Sequence, residues 1–247
     1  THQALDERHG AADRFTPAPD GAVAADRMEV FLAVRDATQA SRARLGAAFD
    51  ALPLSEQEGR DLESQSGLKK LGSVLTILGG AMGLPREMGN FFAARNEALL
   101  RSGMGMGEYT YIYALSYYGL LGRRPASEPG SDESRAESGK GGRRGLRIDM
   151  PLRPRLHREL LSMLRNQLAA VTAGSGPESA WTGTLRGEIE ALEKDTGRTP
   201  WSDGLPAPIA ASLEPYRSRL EATWSATTEP FELARSRRRG RYSIEAD

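Results

Sequence analysis

Apolar residues recur along most of this chain every three or four positions, the period of a helix with one buried stripe. Phe31, Val34, Thr38, Ser41, Leu45, Ala48 and Leu52 alternate steps of three and four. They predict one helix of roughly six turns or more, opened near Asp20 and Gly21 and closed by Pro53. Its middle positions are small, so a neighbouring helix can approach closely. Ser55 to Glu58 then has the form of a capping box, and Leu68, Leu71, Leu75 and Leu78 continue the helical spacing until Gly79, Gly80, Gly83 and Pro85 end it. A third helix turns Met88, Phe91, Phe92, Leu99 and Leu100 inward, with Gly103 placed as its C-terminal cap.

The stretch from Gly107 to Gly122 holds Tyr109, Tyr111, Tyr113, Tyr117 and Tyr118, five of the seven tyrosines in the chain. As a strand it would set Tyr109, Tyr111, Tyr113, Leu115 and Tyr117 on one face, and tyrosine favours strands. As a helix it is apolar nearly all round. No second segment has a convincing strand pattern, and a lone strand leaves its backbone groups unpaired. The helix is therefore the reading adopted, with this element at the centre of the fold.

After Gly122 the pattern lapses. Arg123 to Arg147 is rich in Ser, Gly, Glu and Arg, contains Leu146 as its one large aliphatic residue, and reads as a flexible basic loop. Helical spacing returns with Leu152, Leu156, Leu160, Met163, Leu164, Leu168 and Val171, then with Leu185, Ile189 and Leu192. Trp201 anchors the loop that follows. Ile209, Leu213, Tyr216, Leu220 and Trp224 mark a last helix, expected to begin near Pro215 with Ser212 as its N-cap.

The expected architecture is all-α, an irregular bundle of about six or seven helices with a long flexible loop. Residues 1–22 are read as a tether or leader, 23–122 as an N-terminal helical part, 123–150 as the basic loop, 151–233 as a C-terminal helical part packed on the first, and 234–247 as a basic tail.

Composition narrows the chemistry. The 33 basic residues balance 33 acidic ones, so no overall field draws the chain to nucleic acid. Only Lys69, Lys70, Lys140 and Lys194 among the basic residues are lysines, a coding bias that points to a GC-rich bacterial genome. The absence of cysteine excludes disulfides, thiolate metal sites and Cys nucleophiles. Leu71 to Leu84 is too short to span a bilayer, which needs about 20 residues. The first residue is Thr1 rather than Met, as removal of a start methionine, a signal peptide or a membrane anchor would each leave it.

No motif nominates a catalytic residue. His157 has no partner histidine at helical spacing, and His2 and His9 fall in the expected tether, so no metal site or cofactor is assigned. The carboxylates Glu188, Glu190 and Glu193 read as a solvent-facing helix surface, with Glu190 paired to Lys194. The Gly103–Glu108 stretch lacks the Lys-Ser/Thr of a phosphate loop and reads as a helix–helix junction, its Met104 and Met106 offering an adaptable contact surface. Candidate contact residues for a ligand or partner are therefore these methionines with Tyr109, Tyr111, Tyr113, Tyr117 and Tyr118. Arg143, Arg144, Arg237, Arg238 and Arg239 are candidates for contact with an anionic surface.

Two segments, "DGAVAADRMEVFLAVRD" (Asp20 to Asp36) and "LPAPIAASLEPYRSRLEATWSATTEPFEL" (Leu205 to Leu233), resemble segments of uncharacterised bacterial proteins with an N-terminal membrane anchor. The resemblance implies a helical domain held beside a membrane by a segment before Thr1, outside the cytoplasm, although a cytoplasmic location is compatible with the residues. The leading functional expectation is a non-enzymatic interaction or structural domain whose partner is another protein or a membrane-associated complex. The alternatives are a carrier or sensor taking a hydrophobic small molecule near the tyrosines, and an enzyme whose site the sequence does not identify.

Overall fold

The computed structural model describes residues 2–50, 84–125, 148–149, 152–175 and 179–236. It is all-α, as the periodicity requires, with one two-residue antiparallel pairing, Ile148 opposite Ser236 and Asp149 opposite Arg235. The helix expected over Leu68 to Leu78, its capping box, most of the basic loop and the Arg237–Arg241 tail lie outside the described residues. Among the described residues no helix is long and apolar enough to cross a membrane.

In chain order the helices are α1 (His2–His9), α2 (Ala25–Ala37), α3 (Gln39–Asp50), α4 (Leu84–Ser102), α5 (Met106–Tyr113), α6 (Leu152–Ser175), α7 (Ala180–Lys194), α8 (Ala207–Leu213), α9 (Arg217–Thr223) and α10 (Glu229–Glu232). Helix α5 runs on as a π-helix, Ala114–Leu120, and this tyrosine-bearing unit is the centre of the molecule. Helices α1, α2 and α6 border its first half, while α8 and α9 border the π-helical half. Its tyrosines, with Ile112 and Leu115, join one core shared with Phe31, Phe91, Met163, Leu185 and Phe231. The parts expected on either side of the basic loop thus share that core.

The long helix expected from Phe31 to Leu52 breaks at Thr38 into α2 and α3. The cause is local competition for one carbonyl. Arg35 O accepts from Thr38 Oγ1 at 3.0 Å and from Arg42 Nη2 at 2.5 Å. A carbonyl taken by side chains interrupts the ladder and bends the helix. The last helix also departs from expectation. It starts earlier, at Ala207 with Pro208 in its first turn, and tightens to a 3-10 turn at Glu214–Tyr216 where Pro215 has no N–H to give. Ser212 is consequently inside α8, where its hydroxyl accepts from Val23 N.

Residues read from the sequence as a tether are built into the body. Leu5 of α1 and Ala12 are buried, and the Ala12–Arg14 turn packs on both α5 and α6. Gly107 makes this possible: a Cβ there would stand 2.5 Å from Ala12 O and 2.6 Å from Phe15 Cβ. Gly103 closes α4 with φ +66°, as its expected capping role demands. Trp201 is buried as the anchor of its loop, in a left-handed conformation of φ 61° that is rare for a bulky residue.

Candidate functional site

The tyrosine block is enclosed. All five rings are nearly or fully inaccessible, as are Met104 and Met106, so none of these seven candidates presents a surface to a ligand or partner. The two methionines are core, and the Gly-Met junction seats the chain's own N-terminal segment. The rings pack on one another, with centroids 4.5 Å apart for Tyr113 and Tyr117 and 6.1 Å for Tyr109 and Tyr113. Such tilted pairs contribute beyond their buried area. Four phenols have partners. Tyr111 donates to Gly21 O at 3.0 Å, Tyr118 to Glu229 Oε1 at 2.6 Å and Tyr109 to Glu232 Oε2 at 3.1 Å. Tyr117 and Thr223 Oγ1 are bonded at 2.7 Å, with the tyrosine donating because the threonine hydroxyl is spent on the carbonyls of Arg219 and Leu220. The Tyr113 hydroxyl is buried without a hydrogen-bond partner. Burial raises the pKa of Tyr109, Tyr111 and Tyr113, which keep their protons, and the first two donate them.

Beneath the tyrosines lies a polar network that the sequence reading missed. Arg35 of α2 and Glu232 of α10 form an ion pair, Nη1 to Oε1 at 2.6 Å, with side chains 0% and 1% exposed. The contact is electrostatic more than a well-aimed hydrogen bond, since Oε1 has no aligned donor. The Arg35 guanidinium also donates to Tyr109 Oη at 3.2 Å and to Thr223 O at 2.6 Å, and it lies 5.2 Å from the Tyr117 ring centroid. Burial works against its charge, but Glu232 and the surrounding phenols outweigh it and hold the pKa well above the ordinary value. Arg42 repeats the pattern, donating to Thr223 O and Arg35 O, with its Nε 3.8 Å from Glu232 Oε1. Arg95 of α4 donates to the carbonyls of Phe231 and Glu232, and Arg155 of α6 to that of Leu233. Three arginines and two tyrosines thus converge on α10. Its Phe231 stacks on Phe49 of α3 at 5.4 Å.

A signal for part of this network was present. Arg35 and Arg42 fall on the seam of Phe31, Thr38 and Leu45, at steps of four and three. A charged residue inside an apolar stripe is either an error of phase or a buried group with a partner, and here it is the second. Glu188 was missed similarly. Its carboxylate is buried and accepts from Arg198 and from Trp201 N at 2.8 Å, fixing the strained loop. Glu190 and Lys194 are the exposed pair the spacing predicts, at 2.7 Å. His157 is buried in α6 with Nδ1 3.4 Å from Arg198 O, and no group of three potential metal ligands occurs among the described residues. Arg143, Arg144, Arg237, Arg238 and Arg239 lie outside the described residues.

Among the described residues an accessible concavity lies elsewhere. A groove of about 520 Å³ runs between α3 and the connection from α9 to α10. One wall is Asp36, Gln39, Arg42, Ala43, Gly46, Ala47 and Asp50; the other is Ala222 to Ser225 with Thr227. Ala43, Gly46 and Ala47 sit at helical spacing, and no heavy atom lies within 4 Å of where a Gly46 Cβ would be. No tyrosine lines it. The network forms its floor, because Arg42 and Thr223 belong to both. Compared with known protein families, curated proteins and solved structures, the chain finds no match.

Proposed function

We propose that this chain is a non-enzymatic helical interaction domain that receives another protein in the groove along α3. One observation carries the reading. Among the described residues the tyrosine cluster and the Arg35–Glu232 pair are sealed in the core, while a helix face of small side chains stands open beside them. A sealed core does not present reacting atoms to a substrate, and packed rings leave no room among them for a hydrophobic ligand. An open face of small residues suits helix-in-groove docking, where close backbone approach replaces large anchors. A setting beside a bacterial membrane is part of the proposal and rests on the resemblance of Asp20–Asp36 and Leu205–Leu233.

The experiment is site-specific photo-crosslinking in the native cells, with the probe at Ala47 in the groove or at Ala170, exposed on α6. One adduct is expected from Ala47, none from Ala170, and loss of the first with Gly46→Leu. Absence of the Ala47 adduct, or its survival in Gly46→Leu, refutes the groove as the docking surface.

A further inference from the structure

Charge identifies what the groove takes. Asp36 and Asp50 stand on its α2–α3 wall, roughly 20 Å apart at 1.5 Å of helix rise per residue. Asp36 lies in α2 just before the break at Thr38, and Asp50 is the last described residue of α3. Both are exposed, and no hydrogen bond or ion pair engages either carboxylate among the described residues. Arg42 is the cation lining the groove, but its Nη groups are spent on Thr223 O and Arg35 O, and its charge faces Glu232. Arg123 lies 5.8 Å from the ring of Trp224, beside the groove but outside its lining. The open walls therefore present two uncompensated negative charges separated by a strip without bulk.

Resting on the groove reading above, we infer that the partner segment is a cationic helix of about 14 residues, small-faced where it meets Ala43, Gly46 and Ala47, with Lys or Arg near both ends to meet Asp36 and Asp50. The complementary charges steer and orient it, and the small faces let the two backbones approach.

The test titrates the full chain with defined peptides by calorimetry at low and at physiological salt. The probes are an alanine-rich helix with lysines at both ends, its neutral and acidic counterparts, a proline-broken version of the basic one, and spermine. Expected are binding of the basic helix that weakens with salt, a roughly three- to thirty-fold loss in Asp36→Asn/Asp50→Asn, and no binding in Gly46→Leu. Preference for the neutral or acidic helix overturns the charge assignment and leaves the groove standing. Equal binding of the broken peptide or of spermine overturns the helix. Failure of all the peptides, or binding indifferent to Gly46→Leu, overturns the inference altogether.

Discussion

Replacing Glu232 by glutamine keeps the shape of the side chain and an acceptor for Tyr109 while removing one charge. Arg35 then remains at 0% exposure with its counter-charge gone, and a guanidinium is intrinsically too basic to shed its proton in a protein. Removing one partner of a buried ion pair typically costs ~3–5 kcal/mol, against a domain stability of ~5–15 kcal/mol. Glu232→Gln should therefore lose about a fifth or more of the total, seen in urea unfolding followed by far-UV circular dichroism as a lower midpoint at unchanged slope. The compensating variant sharpens the test. Arg35→Met with Glu232→Leu removes both charges together, and such apolar replacements are often neutral. Tyr109 then loses both polar partners, at ~1–3 kcal/mol for an unsatisfied buried hydroxyl, so Tyr109→Phe belongs in the set. The triple variant should be more stable than Glu232→Gln alone. A cost below ~1 kcal/mol for the single change, or simple additivity of Arg35→Met and Glu232→Leu, would refute the account of a desolvated pair.

Three further expectations follow from the geometry. Gly107→Ala drives a methyl against Ala12 O and Phe15 and should destabilise by ~1–3 kcal/mol, with hydrogen exchange rising first in residues 2–15. Gly46→Ala adds a methyl to open space inside α3 and should stabilise by ~0.5–1 kcal/mol in the same urea assay. The unfolded chain ionises its tyrosines near pH 10 while Tyr109, Tyr111 and Tyr113 keep their protons, so the stability linked to them is complete below pH ~10 and falls above it. In alkaline titration the tyrosinate absorbance of these three, of seven tyrosines in the chain, should appear together with the loss of helical dichroism; ionisation of these phenols before unfolding would contradict their burial.

Helix existence was legible because each apolar stripe repeats over several turns, and Gly103, Trp201 and the Glu190–Lys194 pair could be placed by spacing alone. The break at Thr38 was not legible. Its seam continues in phase through the bend, and the cause is a guanidinium reaching back to one carbonyl, which periodicity does not register. The N-terminal segment looked unstructured because it buries few large side chains, Leu5 and Ala12 among them, and is held by what Gly107 lacks. The tyrosines were correctly read as helical and enclosed, but their partners come from Gly21 before α2 and from α2, α9 and α10, elements that no local pattern links to them. The groove was harder still, since it consists of what small residues leave unfilled.

The anchoring of α10 bears on how the molecule is made. The carboxylate that neutralises Arg35 is synthesised nearly 200 residues after it, at ~5–20 residues per second. Over the roughly ten to forty seconds between them, α2 would carry a cation without the counter-charge that lets it be buried. Arrival of Glu232 closes the circuit, so this core is completed in a single late step rather than accumulated helix by helix.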